Sequence, residues 1–95
     1  MKNIWRDLPK PFFILAPMED VTDSVFRQVV GWCGKPDLYF TEFTSADAIC
    51  SKGKERVMHR LQYTESERPL IAQIWGMQPE NYVKTSQLLH ELGFD

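Results

Sequence analysis

The sequence predicts an α/β fold in which short parallel strands alternate with helices. Three observations carry that expectation. Three short apolar runs, Phe12 to Ala16, Leu38 to Thr41 and Pro69 to Gly76, have the composition of strands covered on both faces. A helical pattern follows each run. The resulting order, β-α-β-α-β-α with a further strand beginning at Phe94-Asp95, calls for a parallel sheet with right-handed crossovers.

The elements follow in order. Met1 to Pro11 reads as a lead-in segment in which Ile4, Trp5 and Leu8 pack across one end of the sheet, while Pro9 and Pro11 stop any regular element from continuing. The first strand ends at Pro17, which cannot donate to a ladder. Thr22 or Asp23 is the N-cap of the first helix. Val25, Phe26, Val29, Val30 and Cys33 give that helix an apolar face, with Arg27 and Gln28 between them. Gly34 and Pro36 close it.

After the second strand, Thr44-Ser45-Ala46-Asp47 has the form of a capping box and opens a short helix through Cys50. Lys52-Gly53-Lys54 breaks it, and Glu55 to Leu61 resumes as a second short helix. Gln62 to Arg68 is polar. Its Thr64-Glu65-Ser66-Glu67 also matches a capping box, but Arg68-Pro69 follows rather than an apolar helical run, so an exposed loop is expected. Pro79 stands at a first-turn position of the last helix. Tyr82, Val83, Leu88, Leu89 and Leu92 form its apolar face, and Gly93 ends it.

Composition sets outer bounds. Of 95 residues, 43% are hydrophobic and 25% charged, a globular rather than a disordered balance. A chain of this length buries only about 60–65% of its unfolded surface, so its core is marginal alone. The formal net charge of −2 does not point to nucleic acid, which calls for a basic patch, and does not exclude it. Cys33 and Cys50 lack metal-ligand spacing and are expected as buried free thiols, consistent with a cytoplasmic protein. No secretory signal and no run of about 20 apolar residues for a membrane span is present. The G-x-G-x-x-G and G-x-x-x-x-G-K-[ST] fingerprints are absent, and no His or Cys cluster suggests a metal. A flavodoxin-like sheet, a Rossmann domain and an eight-unit barrel all remain compatible with three βα units.

In every such fold, ligands sit at the carboxyl ends of the strands. Pro17-Met18-Glu19, Glu42 and Gln73 are placed there. Gln73 is a neutral amide in an apolar strand. Unpaired burial would cost roughly 1–3 kcal/mol. Either neighbouring backbone satisfies it, or it meets the edge of a flat heterocycle such as a flavin or a base. Met18 suits a planar ring through its flexible thioether, or plugs the end of a barrel. Glu42 suits a substrate amide, or serves as a helix-dipole partner. His59 and His90 lie on helices and are expected solvated or partly buried rather than catalytic. Lys52, Lys54, Arg56 and Arg60 form a basic run, ordinarily a solvated face.

Leu15-Ala16-Pro17-Met18-Glu19-Asp20-Val21-Thr22-Asp23-Ser24-Val25-Phe26-Arg27 resembles the N-terminal signature of the tRNA-dihydrouridine synthases. Thr41-Glu42-Phe43-Thr44-Ser45-Ala46-Asp47-Ala48 resembles the next block of that family. Arg68-Pro69-Leu70-Ile71-Ala72-Gln73-Ile74-Trp75-Gly76, with Pro79-Glu80, resembles the third. The resemblance covers the chain from Phe12 to Asp95. It implies the first three βα units of an FMN-binding (β/α)8 TIM barrel, with residues 1–95 as an incomplete N-terminal portion of the catalytic domain.

The implied activity is reduction of uridine to 5,6-dihydrouridine in tRNA, with FMN as cofactor and NADPH as reductant. The target base leaves its stack to react. By this resemblance Pro17, Met18 and Glu19 match the loop against the flavin ring, Gln73 matches the amide on its edge, and Glu42 lies near the mouth. The family's proton-donating cysteine belongs to an Asn-x-Gly-Cys-Pro segment after the fourth strand, so no catalytic residue is expected up to Asp95. Glu19-Asp20 also stands where an Ala-Gly pair is common. The 95 residues alone are expected to be inactive and to self-associate through open strand edges. Two other readings are an FMN barrel acting on a small molecule and a non-catalytic module that binds a partner chain.

Overall fold

The structure is a computed structural model that describes residues 3–95. Its main sheet has three parallel strands in the order β1 (Ile14–Leu15), β2 (Leu38–Phe40) and β4 (Leu70–Ile71). Register pairs Ile14 with Leu38, Leu15 with Tyr39, Tyr39 with Leu70 and Phe40 with Ile71. Beyond the carboxyl ends, β3 (Thr44–Ser45) and β5 (Ile74–Trp75) form a second, parallel pair. The expected α/β class with parallel strands is observed.

The third apolar run is therefore not one strand. It leaves the first sheet after Ile71 and joins the second at Ile74, because Thr41 changes the ladder. The Thr41 N–H donates to the Ile71 carbonyl at 2.9 Å, and the Thr41 hydroxyl then accepts from the Gln73 N–H at 3.0 Å. A side chain thus replaces a main-chain acceptor, and the strand bends. The first strand is also shorter than expected. It has only β2 beside it, and Phe13 and Ile14 are exposed rather than covered.

Helix α1 (Ile4–Asp7) is one turn capped by Asn3 and ends before Pro9. Ile4 is buried, whereas Trp5 is half exposed against Phe12. The lead-in segment's Met1 and Lys2 lie outside the described residues. Helix α2 (Ser24–Gly34) begins at Asp23, whose carboxylate accepts from the Phe26 N–H at 2.8 Å. Gly31 lets this helix lie against β2: a Cβ there would stand 2.8 Å from the Tyr39 hydroxyl. Burial raises the Tyr39 phenol above its ordinary pKa, and the Glu67 carboxylate adds to the rise.

The expected apolar face of α2 is not its buried face. Val25, Val29 and Cys33 are exposed, and Trp32 is 80% exposed. The buried residue is Arg27, with no accessible surface. Its guanidinium donates to Glu67, to the Thr22 carbonyl at 2.9 Å and to the Gln62 carbonyl at 2.9 Å. Glu67 also accepts from the Ser24 hydroxyl and the Thr64 N–H, each at 2.6 Å. Every polar end is matched, which is the condition for a charge pair to survive burial.

The stretch from Gln62 to Arg68 is mostly exposed, as expected, but the same pair gives it structure and draws one residue inward. Glu65–Glu67 forms a turn of 3-10 helix whose capping box runs between Thr64 and Glu67, and Glu67 is 1% exposed. The capping pattern was sufficient without an apolar run, because an ion pair supplies the inward anchor.

Between β3 and this turn lie α3 (Ala46–Ile49), capped by Ser45, then α4 (Lys54–Val57) and a 3-10 turn, Met58–Leu61. Helix α5 (Pro79–Glu91) carries Pro79 in its first turn. It packs on α3, where Asn81 and the fully buried Thr85 meet Asp47 and Cys50, while Tyr82, Val83 and Leu92 of the expected apolar row are all more than a third exposed and Leu88 and Leu89 are half-buried. Asp47 fixes the start of α5 by accepting from the Met77 N–H at 2.8 Å and the Asn81 amide at 2.9 Å.

Both cysteines are exposed, against expectation; Cys50 lies at the α3–α5 contact, 3.7 Å from the Thr85 hydroxyl. His59 and His90 are exposed, as expected. Gly93 takes φ +88°, and the chain returns so that the Asp95 N–H donates to the Leu70 carbonyl at 3.0 Å beside β4. That contact is where a further strand was expected, although no strand is formed there. Among the described residues no helix is long and apolar enough to cross a membrane.

Removing one member of the Arg27–Glu67 pair leaves the other charge buried. Arg27→Ala should cost about 3–5 kcal/mol, whereas Lys84→Ala on the exposed side of α5 should stay within about 0.5 kcal/mol. Urea unfolding midpoints of the two variants against the parent check this difference.

Candidate functional site

The parallel strands all end on one side. Pro17 stands two residues past Leu15, Glu42 two past Phe40 and Gln73 two past Ile71, so the expected site residues follow the carboxyl ends of three neighbouring strands at equal remove. The placement comes from register, not from local propensity.

The loop after β1 turns back on itself through the Met18 N–H, which donates to the Thr22 hydroxyl at 2.8 Å. Asp20 at its tip has φ +61°. A side chain there costs about 1–2 kcal/mol relative to the right-handed region, and Asp is among the few types that tolerate it. The loop leaves Met18 44% exposed and Glu19 partly exposed.

Glu42 is 4% exposed. It accepts from the Asp20 N–H at 3.3 Å and forms an ion pair with Arg60 at 3.0 Å. The same guanidinium reaches Glu19 at 2.7 Å, Asp20 at 3.1 Å and the Phe43 carbonyl at 3.1 Å. Carboxylate oxygens of Glu19, Asp20 and Glu42 lie within 4.8 Å of one another, with Arg60 among them. The hydrogen bond from Arg60 holds the Glu19 carboxyl below its ordinary pKa, and the Arg60 charge acts in the same direction against desolvation. Arg60 is raised in turn, first by its hydrogen bond to Glu19.

Gln73 does not join this cluster through its side chain. Its main chain is bound on both sides, with the N–H on the Thr41 hydroxyl and the carbonyl accepting from the Thr44 N–H at 2.9 Å. Its side chain is exposed. The expectation of an amide inside an apolar strand is therefore corrected: Gln73 lies at the bend between two sheets, and its amide faces outward. Next to it, Phe43 and Trp75 meet edge to face at 6.2 Å.

Sequence reasoning assigned Arg60 to a solvated basic run, yet its side chain is only 16% exposed. The signal was present in the carboxylates. Glu19, Asp20 and Glu42 follow strand ends that converge, and a buried carboxylate needs a cation.

The chain is an α/β protein with parallel strands, and Met18, Glu42 and Gln73 follow their carboxyl ends, the side on which α/β folds take ligands. The family model described as "Dihydrouridine synthase (Dus)" matches residues 14–95, and the chain belongs to that family. It is 56% identical over 94 residues to a "Probable tRNA-dihydrouridine synthase 2" of Bacillus subtilis (strain 168). It is 51% identical over 94 residues to a "Probable tRNA-dihydrouridine synthase" of Staphylococcus aureus (strain COL). In each case 98% of this chain is covered, and it spans 29% of the relative's length.

The depressed pKa of Glu19 has a definite sign. Its pairing with Arg60 contributes above the ordinary carboxylate range and is lost as pH falls through the lowered value. In Arg60→Ala the Glu19 carboxyl should titrate at or above its ordinary value, since desolvation and the neighbouring carboxylates then act alone. Carboxyl-carbon NMR titration of parent and variant reads this directly, and an unmoved Glu19 titration would count against the pairing.

Proposed function

We propose that residues 1–95 form the first three βα units of an FMN-binding (β/α)8 barrel in a cytoplasmic tRNA-dihydrouridine synthase, which reduces uridine in tRNA to 5,6-dihydrouridine at the expense of NADPH. The observation that carries this reading is the common end reached by Pro17-Met18-Glu19, Glu42 and Gln73, three adjacent carboxyl ends of parallel strands. Family membership and the names of the relatives support the substrate.

The residues present fit a flavin. The exposed Gln73 amide offers both a donor and an acceptor, and its main chain is already satisfied, so the side chain is available for the edge of the ring. The partly exposed Met18 thioether covers a ring face. Pro17 and Glu19 set the path of that loop. Glu42, held by Arg60 and the Asp20 N–H, fixes the spacing between the first two strand ends. FMN, when bound, supplies the hydride. No residue up to Asp95 donates the accompanying proton; that role belongs to a cysteine of a later barrel segment.

On this reading the 95 residues alone are inactive and hold FMN weakly or not at all. The open edge of β1 and the exposed Phe13 and Trp32 favour self-association.

The test is a chimera in which this chain replaces the matching 94 residues of the Bacillus subtilis relative. The purified chimera should show the visible flavin band and should form dihydrouridine in tRNA taken from a strain without it. Gln73→Ala should weaken FMN about tenfold, the scale of one lost hydrogen bond of roughly 1.4 kcal/mol. A chimera that stays colourless with added FMN overturns the flavin assignment. A yellow chimera that leaves tRNA uridine untouched overturns the substrate and favours an FMN barrel for a small molecule.

A further inference from the structure

The loop that carries Pro17, Met18 and Glu19 has little apolar packing of its own. Met18 and Val21 are each 44% exposed, and Asp20 is held at positive φ. Hydrogen bonds within it shape the turn, from the Met18 N–H to the Thr22 hydroxyl and from the Val21 and Thr22 N–H groups to the Met18 carbonyl, and its tip is tied to the end of β2 by a residue three helices further along the chain. Arg60, in the 3-10 turn Met58–Leu61, reaches back over the carboxyl end of β2. Four acceptors on two segments converge on it: Glu19 at 2.7 Å, Asp20 at 3.1 Å, Glu42 at 3.0 Å and the Phe43 carbonyl at 3.1 Å.

Only a planar fork with several donors spans such a set. The point charge of a lysine meets one or two acceptors and leaves the others facing one another. Without the guanidinium, three carboxylates with oxygens within 4.8 Å repel, and the nearly buried Glu42 keeps only the 3.3 Å bond from Asp20. The loop would then be driven away from β2, because Glu19 and Asp20 reach solvent and Glu42 does not.

We propose that Arg60 is the positioning residue of the flavin-facing loop, clamping Glu19 and Asp20 against Glu42 so that Met18 lies at a fixed height over the strand ends. This rests on the flavin reading given above for Pro17, Met18 and Glu19. Arg60 does not itself touch the ring or the uracil; it acts through the loop.

The chimera supplies two separate readouts. The first is amide hydrogen exchange of the FMN-free protein at Asp20 and Met18, whose N–H groups bond to Glu42 and Thr22, with Tyr39 of β2 as the sheet control. The second is the FMN dissociation constant. Arg60→Ala should speed exchange at Asp20 and Met18 about tenfold or more while Tyr39 stays protected, and should weaken FMN about tenfold. Arg60→Lys should recover less than half of either loss on a logarithmic scale. Glu19→Gln keeps the arginine and alters a partly exposed side chain, so it should give a smaller change of the same kind in both readouts.

Unchanged exchange at Asp20 and Met18 in Arg60→Ala overturns the clamp, as does full rescue by lysine. If Arg60→Ala speeds Tyr39 equally, the residue holds the fold as a whole and Glu19→Gln decides. Faster loop exchange there with Tyr39 protected sustains the clamp, and no change overturns it. If the parent chimera binds no FMN, the flavin reading fails while the exchange data still decide whether Arg60 holds the loop.

Discussion

The buried pair of Arg27 and Glu67 is the constraint on which the arrangement depends. It ties α2, the helix after the first strand, to the turn that leads into β4. Those segments are 40 residues apart, and the pair brings them together beside Tyr39 of the central strand. Three strands of two or three residues each make few ladder bonds, so register needs a second source. Arg27 supplies it by closing on a carboxylate and on the carbonyls of Thr22 and Gln62 together. A hydrophobic replacement of equal volume could match the burial but would not select one turn of the chain by its carbonyl directions.

A second charge constellation repeats the device after the carboxyl ends of β1 and β2. Arg60 collects Glu19, Asp20 and Glu42, and so relates the loop after β1 to the end of β2. The two arginines differ in surroundings and therefore in consequence. Arg27 is sealed, and its environment is part of the core. Arg60 retains some exposure and pairs with Glu19 and Asp20, which reach solvent, so its pairs are more screened than the sealed one. In this chain polar networks fix geometry where apolar contacts are too few to do so.

That division explains what was legible in the sequence. The alternation of strands and helices, Asp23 as one of two cap candidates, Pro79 at a helix start and the strand-end positions of Pro17, Glu42 and Gln73 follow from local chemistry and appear in the structure, whereas the capping box pointed to Thr44 where Ser45 is the cap, and the third apolar run divides between two sheets. The facing of the helices does not. Val25, Phe26, Val29, Val30 and Cys33 recur at helical spacing on α2, and a periodicity argument turns that face inward, yet Val25, Val29 and Cys33 are exposed and Arg27 occupies the interior. Helical spacing reports which residues share a face but not which face is covered, and a lone arginine gives no local sign of a carboxylate 40 residues later. The same limit hid Glu67 within a polar stretch and Arg60 within a basic run. Thr64-Glu65-Ser66-Glu67 was the one local clue, since a capping box holds a turn together without any apolar partner.

Gln73 shows how a bend can place an amide at a strand end. A glutamine inside a continuous strand would have its main chain in the ladder and its amide buried or alternating to one face. Here the Thr41 hydroxyl substitutes for a ladder acceptor, the chain shifts from the β2 edge to β3, and Gln73 sits on the corner. Thr41 is fully buried, so its hydroxyl has no solvent to turn to and the corner is fixed. Both main-chain groups of Gln73 are satisfied there, by Thr41 and Thr44. Among the described residues the Gln73 amide makes no hydrogen bond, so nearby backbone, the competing account of an amide at this position, does not use it there. The threonine that bends the strand is what sets the amide on the corner, at the side where the strands end.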